Sequence, residues 1–173
     1  MRRLFILTYL ANVALALGSL ALLPERVAVH FGARGLPDNW ASKETNAVTG
    51  VALQTVLFAV LYLVPRLVSV VPPGWVNLPN REYWLREDKR PATLARISAY
   101  LWQMGAALNV FMLCVGLLAL HANLSAPVRL DLPLFFGALM AYLVYTVGWC
   151  VAFYRAFRLP GSPGRESAAS PRG

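Results

Sequence analysis

Four stretches of this chain, 4–23, 47–65, 97–120 and 132–154, contain no Asp, Glu, Lys or Arg. A helix rises about 1.5 Å per residue and the bilayer hydrocarbon is about 30 Å thick, so roughly twenty apolar residues in a row make one crossing. One charged side chain at mid-membrane costs about 3 kcal/mol on insertion scales, so four uncharged stretches of this length are a selective signal. They predict an all-α membrane protein of four transmembrane helices. Composition agrees, since 58% hydrophobic and 14% charged residues cannot furnish the surface of a water-soluble domain.

The first stretch follows Met1-Arg2-Arg3 and has the outline of a signal peptide, whose apolar core usually runs about 7 to 15 residues. This one is longer, and a retained span is expected.

Direction is read from the basic residues. Arg2, Arg3, Arg66, Arg81, Arg86, Lys89, Arg90, Arg96, Arg155, Arg158, Arg165 and Arg172 fall on one side of a four-span threading. Arg26, Arg34, Lys43 and Arg129 fall on the other. The first side is expected to be the cytoplasm, with both termini there and the chain in a bacterial inner membrane. This arrangement predicts a transmembrane domain over 1–157, with an outer loop at 24–46 and an inner interfacial segment at 66–96. A Gly-, Pro- and Ser-rich tail over 158–173 has little to bury and is expected to be disordered. The net charge of +8 flanks apolar runs rather than forming an aromatic-interleaved patch, which suits anionic lipid and not nucleic acid.

The outer loop carries the most chemistry. Val27, Val29 and Phe31 alternate with Ala28 and His30 in strand periodicity, while Gly32, Gly35 and Pro37-Asp38-Asn39 supply turn residues before Trp40. An ordered extracytoplasmic loop with a small β-hairpin is expected between the first two spans. Its candidate recognition residues are His30, Phe31, Gly35, Pro37, Asp38, Trp40 and Lys43.

Leu23-Pro24, Val27, His30-Phe31, Gly35, Pro37-Asp38, Trp40 and Ser42-Lys43 resemble, in type and spacing, the bacterial membrane family known as domain of unknown function 1648. That family includes the SdpI-like toxin-immunity proteins. The resemblance covers about the first third of the chain, and the pattern departs at Ala28 and Gly32, where the family carries Pro and Asn. The second half is shorter than in the immunity proteins and looks like a different partner module. The resemblance implies a membrane protein with an extracytoplasmic recognition loop, used in some relatives for immunity or signalling.

In the inner segment the prolines are expected to stop the second span. Asn77, Pro79, Asn80, Tyr83 and Trp84 then read either as an interfacial anchor at the headgroups or as a docking surface for a partner. Glu82 and Arg86, four apart, are expected to pair on a short helix.

His30, His121, Asp38 and Asp131 all fall on the outer side, but zinc needs three or four ligands and no local ligand motif is present. The expectation is that His30 packs within the loop and His121 caps the carbonyl end of the third helix. Cys114 and Cys150 lie in apolar runs and are expected to stay unpaired. Asn12, Gln54, Asn109 and Tyr142 share a middle depth and predict an interhelical hydrogen-bonded belt. Gly137, Ala141, Gly148 and Ala152, with Ala14 and Gly18, predict close helix approach within one chain or between copies.

No span carries a charge of the kind proton-coupled transport or voltage sensing uses, and no phosphate loop, nucleophile elbow or zinc-protease motif appears. No catalytic residue, metal or cofactor is assigned. A non-enzymatic accessory protein whose outer loop recognises a partner or toxic agent is the leading reading. A structural subunit of a larger membrane complex and a membrane enzyme with an outer metal site are the alternatives. The bilayer is the expected partner, with a membrane protein or a second copy as the others.

Overall fold

A computed structural model describes residues 1–159, and each uncharged stretch forms the body of one helix. The order is α1 (Arg2–Leu22), β1 (Arg26–Phe31), β2 (Pro37–Ser42), α2 (Lys43–Val70), a 3-10 turn (Pro73–Trp75), α3 (Arg81–Trp84), α4 (Arg90–Leu124) and α5 (Leu132–Ala156). Four of these helices, α1, α2, α4 and α5, are long and apolar enough to cross a membrane, the make-up of a multi-pass membrane protein. Residues 160–173, most of the tail expected to be disordered, lie outside the described residues.

The helices outrun the apolar stretches because charged residues at their ends still make helical hydrogen bonds. α2 starts at Lys43, four residues inside the expected loop, because the Ser42 hydroxyl accepts the Thr45 N–H at 3.1 Å and caps the first turn. The helix continues through Pro65, where the span was expected to stop, and ends at Val70, just ahead of Pro72-Pro73. A proline removes one backbone donor, which helices in membranes tolerate when neighbours compensate. α4 has 35 residues, about 52 Å by helical rise, well beyond the roughly 30 Å of hydrocarbon. It begins at Arg90, with Pro91 in the first turn where a missing N–H costs nothing.

α1, α2 and α4 pack on one another and α5 leans on α4. The contacts follow from small residues opposite large ones. A Cβ on Gly105 would stand 2.9 Å from two ring carbons of Phe5, and one on Gly116 would stand 2.9 Å from a methyl of Leu15. Phe5 is fully buried and stacks on Phe58, centroids 5.0 Å apart, which stacks in turn on Tyr9 and Tyr62. Gly105→Ala is therefore expected to destabilise the protein by about 1–2 kcal/mol, since a stacked ring cannot yield as an aliphatic end can. Thermal unfolding in detergent checks this. Gly116→Ala should cost less, and an unfolding temperature unchanged in Gly105→Ala would mean that the Phe5 ring is free to move.

The close approach expected at the two α5 glycines is not made inside the chain. A Cβ on Gly137 or Gly148 would meet nothing within 4 Å, and the same holds for Gly18. The small residues that matter are Gly105 and Gly116, on the helix in the middle of the bundle. α5 itself buries no residue, because it touches the rest of the bundle along one side only.

Asn12, Gln54 and Asn109 meet as the belt requires. The Asn12 amide donates to the Asn109 carbonyl at 2.9 Å, and Gln54 Nε2 donates to Asn12 Oδ1 at 3.1 Å. Asn109, fully buried, donates to Phe5 O at 3.3 Å. Tyr142 is not part of the belt. Its hydroxyl lies 3.8 Å from Met104 Sδ, because α5 sits outside α4 and does not reach the α1–α2 contact.

Candidate functional site

β1 and β2 form the antiparallel hairpin expected of the outer loop, but its turn lies earlier than Pro37-Asp38-Asn39, which belong to β2. The chain reverses over Ala33-Arg34-Gly35. Gly35 N–H donates to Gly32 O at 2.8 Å and Gly32 N–H to Leu36 O at 2.9 Å, with Gly35 in the left-handed region at φ 73°. A three-residue loop ending in a left-handed glycine is a common hairpin solution, and Gly35 is the residue suited to it.

The base of the hairpin is closed by Lys43, whose N–H donates to Glu25 O at 3.2 Å and whose ammonium meets Glu25 Oε1 at 2.8 Å. Across the strands His30 Nδ1 meets Asp38 Oδ1 at 2.5 Å, with both side chains exposed at 67% and 52%. His30 thus packs within the loop as expected, as half of a surface pair. Gly32 accommodates that pair, since a Cβ there would stand 3.1 Å from the second Asp38 carboxylate oxygen. Arg26 lies over the Trp40 ring at 5.9 Å. Phe31 and Pro37 face each other at the turn end of the ladder.

Two contacts fasten this hairpin to the helices. Ala28, on the buried part of β1, donates its N–H to Asn123 Oδ1 at 2.7 Å and accepts from Asn123 Nδ2 at 3.0 Å. The Asn123 amide therefore pairs with Ala28 as a neighbouring strand would. Asn123 is held for the task by a further bond from Nδ2 to Ala119 O at 3.0 Å. At the turn, Leu130 N–H donates to Gly35 O at 2.9 Å, joining the tip to the α4–α5 connection. Sequence reasoning missed Asn123 and Leu130. An Asn at the end of a long apolar helix was the available signal, because it is expensive in lipid unless it has partners.

The candidate recognition residues thus divide. Gly35 and Lys43 shape and close the hairpin, whereas Asp38 and Trp40 present exposed side chains on β2. Asp131 caps α5, its carboxylate accepting Leu134 N–H at 3.0 Å. Among the described residues no group of three His, Cys, Asp or Glu could hold a metal. His121 stands in the last turn of α4, at the carbonyl end as expected. The helix runs on to Leu124, and the Ser125 hydroxyl donates to the His121 carbonyl at 2.8 Å. Cys114 and Cys150 are free.

On the opposite end of the molecule, the Asn77–Trp84 segment folds back on its own chain. Asn80 Nδ2 and Trp84 Nε1 donate to the carbonyl of Phe157, at 3.0 and 2.8 Å, satisfying the end of α5. Phe157 is fully buried with Leu78, Leu85 and Ile97. Tyr83 carries Lys89 over its ring at 3.4 Å, while Asn77 is exposed and Pro79 half-buried. The expected Glu82–Arg86 pair does not form. α3 ends at Trp84, which breaks the helical spacing, and Arg86 lies 3.6 Å from Asp88 instead.

Beneath the hairpin a cavity of about 590 Å³ runs between α1, α2 and α4, from His30 and Phe31 down to Asn12 and Gln54. Its walls are largely aliphatic. No curated protein and no solved structure matches the chain. Residues 4–55, which hold most of α1, the hairpin and the first turns of α2, match the family model described as Domain of unknown function (DUF1648).

Proposed function

We propose that this chain is a non-enzymatic accessory protein of a bacterial inner membrane, with both termini cytoplasmic, whose outer hairpin recognises a partner or toxic agent in an immunity- or signalling-like role. The observation that carries the reading is a rigid hairpin with a free face. β1 is clamped to α4 through Asn123 and the turn to Leu130, while Asp38 and Trp40 on β2 stay exposed. Recognition residues held on a fixed frame lose little entropy on binding. The excess of basic residues at the other end of the bundle supports the orientation. There Arg2 Nη2 donates to Tyr62 OH at 2.8 Å, drawing the N-terminus and the end of α2 together.

Pull-down from native membranes tests the proposal. The double variant Asp38→Ala, Trp40→Ala is expected to lose captured partners at least tenfold while inserting as the parent does, since loss of hot-spot side chains typically costs about 2 kcal/mol or more. Capture of the same partners by both proteins rules the hairpin face out.

A structural subunit of a larger membrane complex is the second reading, and the exposed stripe of Gly137, Ala141, Gly148 and Ala152 on α5 favours it. Gentle detergent extraction separates the two. Stable co-purification of unrelated subunits supports the complex, and a monomer or homodimer supports the free receptor. An enzyme with an outer metal site has no three-ligand cluster to stand on among the described residues.

A further inference from the structure

At the end of the bundle opposite the hairpin, two guanidiniums share one oxygen. Arg2 Nη2 donates to Tyr62 OH at 2.8 Å, and Arg66 Nη2 donates to the same atom at 2.9 Å. A phenol has two lone pairs and one proton, so these bonds take both lone pairs and turn the proton away. No described residue accepts that proton. A guanidinium carries donors only, and the cluster therefore presents N–H and O–H groups outward.

Charge points the same way. The two donating nitrogens lie within about 6 Å of each other, where like charges repel, and a neutral phenol offsets little of that. Arg2 forms no ion pair with any described residue. Both cations are nevertheless held in place. Arg66 lies 4.2 Å from the centroid of the Tyr62 ring, and Arg2 lies 5.5 Å from it and 6.0 Å from the Trp102 ring. The Tyr62 ring is itself stacked on Phe58. Arg2 and Arg66 are exposed and Tyr62 is half-buried, so an anion can reach all three with little further ordering of side chains.

The surroundings say what that anion is attached to. Tyr62 and Arg66 stand near the end of a helix long and apolar enough to cross a membrane, and the adjacent Leu63 and Leu67 are 48% and 55% exposed. Tyr and Trp side chains favour the headgroup level of a bilayer. A ligand seated here has a negative head against the arginines and an apolar body along α2. Two cations also repel an ammonium, which disfavours a zwitterionic headgroup.

We propose that Arg2, Arg66 and Tyr62 bind the phosphate of an anionic phospholipid, its oxygens accepting from both guanidiniums and the phenol, with the acyl chains along α2 at Leu63 and Leu67. No hairpin residue takes part, so the site is independent of recognition by Asp38 and Trp40.

Native mass spectrometry of the whole protein, incubated in detergent with phosphatidylglycerol or with phosphatidylcholine of the same acyl chains, tests the site. The parent is expected to retain at least fivefold more phosphatidylglycerol. Tyr62→Phe keeps the stacked ring, removes only the hydroxyl, and should lower that retention about threefold. Arg2→Gln combined with Arg66→Gln should lower it at least tenfold, to the phosphatidylcholine level. Arg155→Gln combined with Arg158→Gln removes the same charge from the same end of the bundle, on and just after α5, and should leave retention unchanged. Inorganic phosphate at equal concentration should displace little of the lipid, since it lacks the apolar body. Equal retention of the two lipids by the parent, unaltered retention in Tyr62→Phe, or equal losses in the two arginine pairs, as bulk charge would give, would overturn the proposal. So would full displacement by inorganic phosphate.

Discussion

Asn123→Leu is expected to release the hairpin from the helices while leaving the four apolar helices in place. The change deletes the donor and the acceptor that serve Ala28, whose residue is only 3% exposed. Leucine fills a similar volume but offers neither bond, so a backbone N–H and a carbonyl lose their partners together. Each orphaned group costs about 1–3 kcal/mol, which makes a loss of about 3 kcal/mol for the pair a conservative expectation. Hydrogen exchange reads it locally. Amides of β1 should open about 10²-fold more often, while those in the middle of α4 keep their protection. Asn123→Asp distinguishes geometry from chemistry. It keeps an acceptor for the Ala28 N–H but sets a carboxylate against the Ala28 carbonyl, and it should fare no better than leucine. Unchanged protection of the Ala28 amide in both variants would mean that the clamp contributes nothing.

The second large effect is expected at Gly35, where two independent constraints coincide. Its φ of 73° costs a β-branched residue about 1–2 kcal/mol or more, and a Cβ there would stand 2.7 Å from the Leu130 carbonyl oxygen. That oxygen is backbone and cannot swing aside without disturbing the bond from Leu130 N–H to Gly35 O. Gly35→Val should thus lose about 3–4 kcal/mol, combining the conformational and steric terms. Gly35→Asn separates them. Asparagine tolerates the left-handed region but still carries a Cβ, so it should recover the conformational part only and remain about 2 kcal/mol below the parent. Thermal unfolding in detergent, with protease cleavage in the 32–36 turn as a local readout, checks both. If Gly35→Asn unfolds with the parent, the approach of Leu130 is not a constraint.

These two residues also mark where sequence reading reached its limit. Gly35 stood out from its neighbours as a turn residue and joined the recognition set because it lies in the loop. Its contact with Leu130 involves a backbone group in a different part of the chain, and backbone groups leave no mark in residue type. Ser42 is the opposite case. A serine ahead of Lys43-Glu44-Thr45 is a legible helix cap, and it would have set the start of α2 at Lys43 rather than Ala47. The polar belt was legible because depth in a membrane follows from counting residues, and Asn12, Gln54 and Asn109 met as depth predicted. Tyr142 shares the depth but not the direction. Depth does not specify which side of a helix faces which neighbour, and α5 proved to lie outside the others.

The same division explains the segment between α2 and α4. Asn80 and Trp84 were recognisable as unusual polar and aromatic residues beside a membrane, whereas their common acceptor, the Phe157 carbonyl, lies more than seventy positions away.

By itself the sequence determined the number of helices long and apolar enough to cross a membrane and the presence of a hairpin between the first two. Both follow from local quantities, the transfer of consecutive side chains into hydrocarbon and the conformational preferences of a few turn residues. Tertiary structure alone decided how the hairpin is mounted, which polar groups are paired and where a cavity remains. Those outcomes depend on atoms 95 residues apart, such as Ala28 and Asn123, and a side-chain amide has no readable role until the chain that satisfies it is folded against it.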